Sequence, residues 1–256
     1  MSDVIETTLD GIRLIQLNHD NPHNPFSRAL ETAVKQALDR ADSDDSVEAI
    51  VVHGGEGRSF SAGGDFNEVK NLSSPEQIDA WIDRVNELYT SVLKLTKPSV
   101  AAIDGHAVGM GFQFGMMFDW RIMTGRATLN MPELRHGIGC SVGASILSEL
   151  LTWNAMRDII YRCEPMTAAQ ALDHGLINHI AEPAQLLEDA LKMARALASY
   201  PQVAFRSTKR VVNRSMIARL DSSSADSKQV HRAAFGARDA QRHFQNILKD
   251  KYAKAA

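Results

Sequence analysis

The sequence has little cysteine and no long apolar run, and each absence excludes a class of protein. Cys140 and Cys163 are the two cysteines among 256 residues, and they lack metal-ligand spacing. This argues against a disulfide-stapled secreted scaffold and favours a reducing compartment. No segment offers about 18 uncharged apolar residues, so we expect no membrane association. The acidic N-terminus has no apolar core of the signal-peptide type, and a cytoplasmic protein is expected.

An excess of positive charge is also missing. Lysine and arginine number 28 against 31 aspartate and glutamate, and the net charge of −3 argues against a dedicated nucleic-acid binder. The nine histidines show no ligand spacing and no cluster with cysteine, so no metal is expected. The chain is long enough to bury a sizeable core as one large domain, or as one domain with an appendage.

Alternating strand and helix patterns fill the first two thirds of the chain, and the remainder is helical. Asp10-Gly11 between two apolar runs predicts a hairpin. Ser27 is placed to cap a helix, residues 47–53 form a buried strand, and residues 75–95 have amphipathic helical spacing. Residues 222–226 (SSSAD) predict a break between helices near the C-terminus. The pattern indicates an α/β core with a helical appendage.

Two glycine-rich turns each follow a predicted strand and open onto a predicted helix. They are residues 61–65 (SAGGD) and 105–111 (GHAVGMG), the second within the turn predicted at 104–109 and followed by a helix over 110–118. Such turns leave backbone N–H groups unpaired, and two of them aimed at one point would hold a phosphate or a transient oxyanion. The simpler interpretation is that glycine only permits a tight turn.

Dinucleotide binding is a rival interpretation of the second turn. Residues 109–115 (GMGFQFG) formally match G-x-G-x-x-x-G. The fingerprint should begin at the end of a strand, yet residues 104–108 separate the strand from Gly109. No first βαβ unit surrounds the motif, and this interpretation is disfavoured.

Glu133 is a candidate general base. It follows Pro132 at the start of a predicted helix, where the helix dipole favours the carboxylate while apolar neighbours raise its pKa. The alternative is an ordinary first-turn glutamate. The basic run at residues 206–214 is a solvated helix face, or else a contact for a phosphate-bearing ligand.

Three blocks of sequence resemble the crotonase, or enoyl-CoA hydratase/isomerase, family. They are FSAGGDFNEV at residues 60–69, the long glycine-rich stretch at 97–139 and PMTAAQALDHGLINHI at 165–180, with a weaker match in NPHNPFS at 21–27. The resemblance extends to about residue 220. It implies a spiral of ββα units, with residues 1–195 as an acyl-CoA-binding core. Residues 196–256 would then form a helical region for oligomerisation, into a trimer or a dimer of trimers.

The resemblance also implies a site. By position, the N–H groups of Gly64 and Met110 would hold an enolate oxygen, with Glu133 as the acid/base. Further residues would bind the CoA or acyl part of the substrate: Pro25, Ala62, Gly63, Asp65 and Phe66. Coenzyme A would belong to the substrate, and no separate cofactor is expected.

Gln113 departs from the pattern of the family's hydratases, which have a glutamate at this position. Glutamine is neither an acid nor a base, although it orients water or substrate. The segment 139–143 is altered as well. The resemblance therefore implies double-bond isomerisation of a 3-enoyl-CoA, with Glu133 as the single acid/base. The alternatives are a hydratase, another lyase or a decarboxylase using Glu133 and water placed by Gln113. From a different class, the alternative is a non-catalytic or RNA-binding member of the fold.

Overall fold

The computed structural model describes residues 2–236, and its first two strands form the predicted hairpin. Strands β1 and β2 pair in antiparallel register from Val4 with Leu17 to Leu9 with Ile12. Asp10 and Gly11 both have positive φ, 48° and 79°. A two-residue loop with this backbone matches the right-handed twist of the strands it joins.

The described residues contain nine strands and ten α-helices, with two short 3-10 helices at Glu133–His136 and Pro183–Gln185. The strands are β1 Val4–Leu9, β2 Ile12–Leu17, β3 Ala49–His53, β4 Ser99–Ile103, β5 His106–Val108, β6 Trp120–Thr124, β7 Thr128–Asn130, β8 Met166–Thr167 and β9 His179–Ala181. The helices are α1 Arg28–Ser43, α2 Phe66–Val69, α3 Pro75–Leu93, α4 Met110–Gly115, α5 Ser141–Leu150, α6 Trp153–Arg162, α7 Ala168–Asp173, α8 Leu186–Ala198, α9 Gln202–Val212 and α10 Arg214–Gly236.

The strands form two sheets. The larger has the order β1-β2-β3-β4-β6-β9 and is parallel except for the pairing of β1 with β2. The smaller has the order β5-β7-β8, with β5 and β7 parallel. An isolated parallel bridge from Ser61 to Ala107 continues the smaller sheet. Successive turns of chain thus contribute to the large sheet, then to the small one, then to a helix, as predicted for the ββα spiral.

This winding brings three loops to one edge of the small sheet. Ser61, β5 and β7 run parallel as neighbours, so the residues that follow them emerge at the same edge. The loops are residues 62–65, 109–111 and 131–134. Two of these loops contain the glycines predicted to expose backbone N–H groups, and the third contains Glu133.

The large sheet is buried on both faces. On one face, Val51, Ala102 and Ile122 pack in a cluster with Ala190 and Ala194 of α8. Side chains from the opposite face join the main core, which includes α1, α3 and α4. Parallel strands covered on both sides are expected to be continuously apolar, and β3 and β4 are buried throughout.

Several helix predictions are confirmed. Ser27 caps α1, its hydroxyl accepting from the Leu30 amide at 3.2 Å. Helix α3 begins at Pro75 behind a capping box formed by Ser74 and Gln77, and it ends at Leu93. Helix α10 packs against α3 and α5, which places the last described helix beside the core.

Three predictions need correction. The break at residues 222–226 is absent, because α10 is continuous from Arg214 to Gly236. Its serines stay helical by donating to carbonyls three residues back, as Ser222 does to Arg219 at 3.1 Å. The segment 104–109 is not wholly a turn, since it contains β5. The helix predicted over 110–118 ends at Gly115.

The boundary predicted at residues 195/196 falls inside α8, which runs from Leu186 to Ala198. Residues 237–256 of the predicted oligomerisation region lie outside the described residues. The function of this region in assembly therefore stays a prediction. Within residues 2–236, no helix combines the length and apolarity needed to cross a membrane.

One positive charge of the basic run at 206–214 is buried in an ion pair inside the fold. Lys209 is buried, and its Nζ lies 2.6 Å from Asp119 Oδ2 and 2.8 Å from the Lys97 carbonyl oxygen. The pair attaches α9 to the start of β4 and β6. Arg206 and Arg210 remain exposed. Because Lys209 is buried, the run does not form a continuous basic surface. This weakens the alternative of RNA binding, which depended on that surface.

Candidate active site

A cavity with an empty volume of about 670 Å³ lies where the three loops meet. Loop 62–65 contributes Ala62, Gly63 and Gly64, loop 109–111 contributes Gly109 and Met110, and loop 131–134 contributes Pro132 and Glu133. The structure therefore brings together the residues predicted to hold an oxyanion and the predicted base. The remaining lining is mostly apolar and includes Phe66, Val69, Trp81, Ile82, Val85, Ile138 and Val142.

The loop after Ser61 is fixed by backbone hydrogen bonds on both sides. The Ala62 amide donates to the His23 carbonyl at 2.7 Å, and the Gly63 carbonyl accepts from the Phe26 amide at 2.7 Å. Gly63 has φ +90°, and a Cβ atom there would lie 2.6 Å from the Val108 carbonyl oxygen. Among the described residues, the Gly64 N–H has no hydrogen-bond partner. One donor is thus left free beside the cavity.

The second loop supplies the other free donor. Gly109 has φ +51° and ψ −117°, a conformation suited to glycine, and its amide donates to the Asn130 carbonyl at 2.8 Å. Met110 follows as the first residue of α4, where an N–H has no acceptor within the helix. A Cβ atom at Gly63 would lie 3.6 Å from the Met110 nitrogen, which shows how closely the two loops approach.

Glu133 starts a 3-10 helix rather than an α-helix, with Pro132 at its N-cap. Its Oε1 accepts from Gln113 Nε2 at 2.9 Å. Its Oε2 is buried and meets no donor in hydrogen-bond geometry among the described residues, although the nearby Cys140 thiol also favours the charged form of the carboxyl. Burial raises the pKa of the carboxyl from its ordinary value of 4.5 to about 7, against the hydrogen bonds that favour the charged form. Both protonation states are therefore populated at neutral pH.

Gln113 lies on α4 and is held at both ends of its amide. Its Oε1 accepts from the Tyr89 hydroxyl at 2.9 Å, while its Nε2 faces Glu133. Tyr89, on α3, is completely buried. Tyr89 was not predicted from the sequence, because it falls within the apolar stripe of a long amphipathic helix.

The rings of Trp81 and His231 line the cavity side by side. They meet edge-on, with their centroids 5.6 Å apart. His231 Nδ1 lies 2.7 Å from the Ser227 carbonyl oxygen, so Nδ1 carries hydrogen and Nε2 is the acceptor of the neutral ring. Burial lowers the pKa of His231, which favours that neutral form. His231 was not predicted, since a lone histidine in a helical sequence carries no signal.

Of the aromatic residues on the elements around the site, only some face the cavity. Phe66 and Trp81 line the cavity. Phe112 is fully buried in the main core, and Trp120 packs with the cluster under α8. Phe112 and Trp120 therefore do not line the cavity.

Two predicted substrate-binding residues do not line the cavity. Pro25 is buried, and its carbonyl accepts from the Ser27 amide at 2.9 Å. Asp65 caps α2, its Oδ1 accepting from the Asn67 amide at 2.9 Å. Pro25 precedes Phe26, which is hydrogen-bonded to the loop at 62–65, and Asp65 is the last residue of that loop. The contact of both with CoA stays a prediction. The described part of the chain holds no cluster of three or more side chains suited to a metal ion.

The model of the enoyl-CoA hydratase/isomerase family matches residues 7–252, and the chain belongs to this family. Membership implies an acyl-CoA thioester as substrate and explains why two glycine loops and a carboxylate share one cavity. Among individual relatives, the carboxymethylproline synthase of Pectobacterium carotovorum subsp. carotovorum is 55% identical over 249 residues, which cover 97% of this chain and 100% of that protein.

Solved structures agree with this assignment. ThnE from S. clavuligerus has 32% identity and a TM-score of 0.75, covering 89% of this chain and 100% of that one. An enoyl-CoA hydratase/isomerase from Xanthobacter autotrophicus Py2 has a TM-score of 0.88 over 97% of this chain and 94% of that one, at 23% identity. The second likeness concerns the fold alone. The predicted mixed α/β crotonase fold is confirmed.

Proposed function

We propose that this chain forms a carbon–carbon bond between an acyl-CoA enolate and a cyclic imine, giving a carboxymethylproline. The proposal has two supports. One is the pair of unpartnered N–H groups beside a single buried carboxylate. The other, which carries the specific reaction, is 55% identity to a carboxymethylproline synthase over nearly the whole chain.

The first step is formation of the enolate. The thioester carbonyl oxygen would lie between the N–H groups of Gly64 and Met110, which stabilise negative charge as it develops. A malonyl thioester supplies the enolate by losing CO2, its carbon–carbon bond electrons passing to C2 and the thioester oxygen. The lining of the cavity contains no lysine or arginine among the described residues. A substrate carboxylate bound there would lack a cationic partner, which favours the loss of that carboxylate as CO2.

The second step is addition to a pyrroline carboxylate. C2 of the enolate attacks the carbon of the C=N bond, whose electrons move to nitrogen, and the ring becomes a proline that bears the acyl unit. The reaction needs the nitrogen to be protonated. Protonated Glu133 supplies this proton, and the face of Trp81 suits the resulting cation.

The third step is hydrolysis of the new thioester. Glu133, now a carboxylate, removes a proton from water, which attacks the carbonyl carbon. The same two N–H groups hold the tetrahedral oxyanion. The tetrahedral intermediate collapses, the departing thiolate takes the proton from Glu133, and coenzyme A leaves as the thiol. The two-carbon unit remains as a carboxymethyl group. One side chain with a pKa of about 7 thus acts as the acid in one step and the base in another.

The test is incubation of the purified protein with malonyl-CoA and a pyrroline carboxylate, followed by mass spectrometry and by assay of free thiol. We expect carboxymethylproline and one equivalent of free CoA. Omission of the acceptor and the variant Glu133→Gln are the controls, and both should abolish the product. Replacement of malonyl-CoA by acetyl-CoA should give much less product, because Glu133 would then have to deprotonate C2. Failure to form carboxymethylproline from malonyl-CoA would refute the proposal.

Double-bond isomerisation remains the second candidate, and the lone carboxylate favours it. Glu133 would remove a proton at C2 of a 3-enoyl-CoA and return it at C4, with Gly64 and Met110 holding the dienolate oxygen. Hydration is less favoured, since the amide of Gln113 is already committed to Tyr89 and Glu133. Parallel assays with 3-enoyl-CoA and with crotonyl-CoA separate the three reactions.

A further inference from the structure

A line of hydrogen bonds runs from the interior to Glu133. The Tyr89 hydroxyl lies 2.9 Å from Gln113 Oε1, and Gln113 Nε2 lies 2.9 Å from Glu133 Oε1. Each member comes from a different element: α3, α4 and the 3-10 helix after β7. Tyr89 is fully buried and Gln113 nearly so.

The direction of these bonds is fixed by the groups involved. An amide oxygen only accepts, so the tyrosine must donate to Gln113 Oε1. The other acceptor near this hydroxyl, the Met110 carbonyl oxygen, is 3.5 Å away. With its oxygen held by Tyr89, Gln113 presents N–H to the carboxylate. A reversed amide would present a carbonyl oxygen instead and repel the charged form of Glu133.

We propose that Tyr89 is a positioning residue that keeps the Gln113 amide donating to Glu133 Oε1, so that protons reach and leave this carboxyl at Oε2. Oε1 is occupied by an N–H donor and also lies 3.2 Å from where a Cβ of Gly109 would be. Oε2 meets no donor in hydrogen-bond geometry among the described residues. The inference rests on the proposed function of Glu133 as the acid/base, but its test needs no substrate.

The other titratable groups around this carboxyl are Tyr89, Cys140, His136 and His231. Burial raises the pKa values of Tyr89 and Cys140 well above their ordinary range, so both stay neutral where Glu133 titrates. Burial lowers the pKa of His231. His136 also lines the cavity, so the carboxyl must be observed separately from the imidazole groups. Carboxyl and imidazole have separate infrared bands, so vibrational spectroscopy makes this distinction.

The experiment is infrared titration of the protein between acid and alkaline pH, following the C=O band of the protonated carboxyl. The variant Glu133→Gln identifies that band by its loss. In Tyr89→Phe we expect Glu133 to bind its proton about tenfold more tightly, because the charged form loses a fixed donor. The exposed Tyr161 supplies a matched control, and Tyr161→Phe should leave the titration unchanged.

A double-variant cycle separates positioning from general disturbance. Gln113→Met should produce the same upward shift, and adding Tyr89→Phe to it should produce no further shift, since Tyr89 acts through Gln113. Fluorotyrosine at position 89 keeps the shape and donates more strongly, so it should lower the pKa of Glu133 even if Tyr89→Phe fails to fold. An unchanged titration in Tyr89→Phe or in the fluorotyrosine protein would overturn the proposal, as would additive shifts. None of these outcomes depends on turnover.

Discussion

Gly109 is the position where a single methyl group should distinguish a catalytic from a structural use of the glycine loop. A Cβ atom there would lie 3.2 Å from Glu133 Oε1 and 3.8 Å from its Cδ. The backbone is also held at φ +51° and ψ −117°, which an L side chain rarely adopts. Gly109→Ala therefore strains the backbone and displaces the carboxylate by a few tenths of an ångström.

The two effects have different magnitudes and different readouts. Backbone strain of this kind costs about 1–3 kcal/mol. In a chain of this size each kcal/mol lowers the melting temperature by about 2–4 °C. A misplacement of about 1 Å costs about 10²-fold in rate, so a few tenths of an ångström should lower kcat by roughly threefold to tenfold. Thermal melting and steady-state kinetics on carboxymethylproline formation measure them separately.

Gly57 and Gly175 supply the matched controls. They have φ of +67° and +70°, and a Cβ atom at either would meet nothing within 4 Å. Alanine at these positions should lower the melting temperature through strain while leaving kcat unchanged. If Gly109→Ala were as active as Gly175→Ala, the glycine would serve the turn alone, and the placement of Glu133 against this loop would be refuted.

Three further predictions follow from buried charge and cavity shape. The folded-state pKa of Glu133 is about 7, above its ordinary value of 4.5, so between these pH values the folded protein binds a proton that the unfolded chain does not. The free energy of unfolding should therefore fall by about 3 kcal/mol as the pH rises from 4.5 to 7. Urea unfolding should show no such pH dependence for Glu133→Gln, which should be the more stable protein at pH 8. Lys209→Met leaves the partly buried Asp119 without its cation, although Ser99 still donates to it, and should cost up to about 3 kcal/mol. Lys209→Met/Asp119→Asn should recover part of that loss, and equal stability of the two variants would contradict the pairing. Trp81→Ala should raise KM for the pyrroline carboxylate more than for malonyl-CoA, and equal effects would argue against an acceptor site at Trp81.

Local sequence signals predicted the elements that depend on local chemistry. The hairpin followed from Asp10-Gly11, and the start of α1 from the capping hydroxyl of Ser27. Strand β3 was predicted within residues 47–53, since a buried parallel strand is a short continuous apolar run. The SSSAD break failed because serine hydroxyls bonded within the helix, a choice settled by packing of α10 on α3 and α5.

Some residues of the candidate site were likewise predictable from the sequence, and others were not. Glycines before a helix and a glutamate after a proline are visible in sequence, and the family resemblance joined Gly64, Met110 and Glu133 into one site. The sequence did not predict that Tyr89 and His231 lie at the site, because their positions depend on how α3 and α10 pack around the cavity. Pro25 and Asp65 do not line the cavity, and their contact with the substrate stays a prediction.

The significance of Gln113 also changed with the structure. From the sequence it was the absence of a second carboxylate, which implied a simpler reaction. In the structure its amide is a donor to Glu133, held from behind by Tyr89. An amide in place of a second carboxylate leaves Glu133 as the one group that both gives and takes a proton. Bond formation followed by hydrolysis requires a group with this property.

The proposed reaction requires a thioester oxygen bound between Gly64 and Met110, with Glu133 beside C2. A crystal structure of the complex with a non-hydrolysable malonyl-CoA analogue tests it most directly. We predict that the carbonyl oxygen lies about 2.7–3.1 Å from both backbone nitrogens, with Glu133 Oε2 facing the reacting carbon. A carbonyl oxygen bound to neither nitrogen, or an acyl group outside the cavity lined by Trp81, would contradict the account.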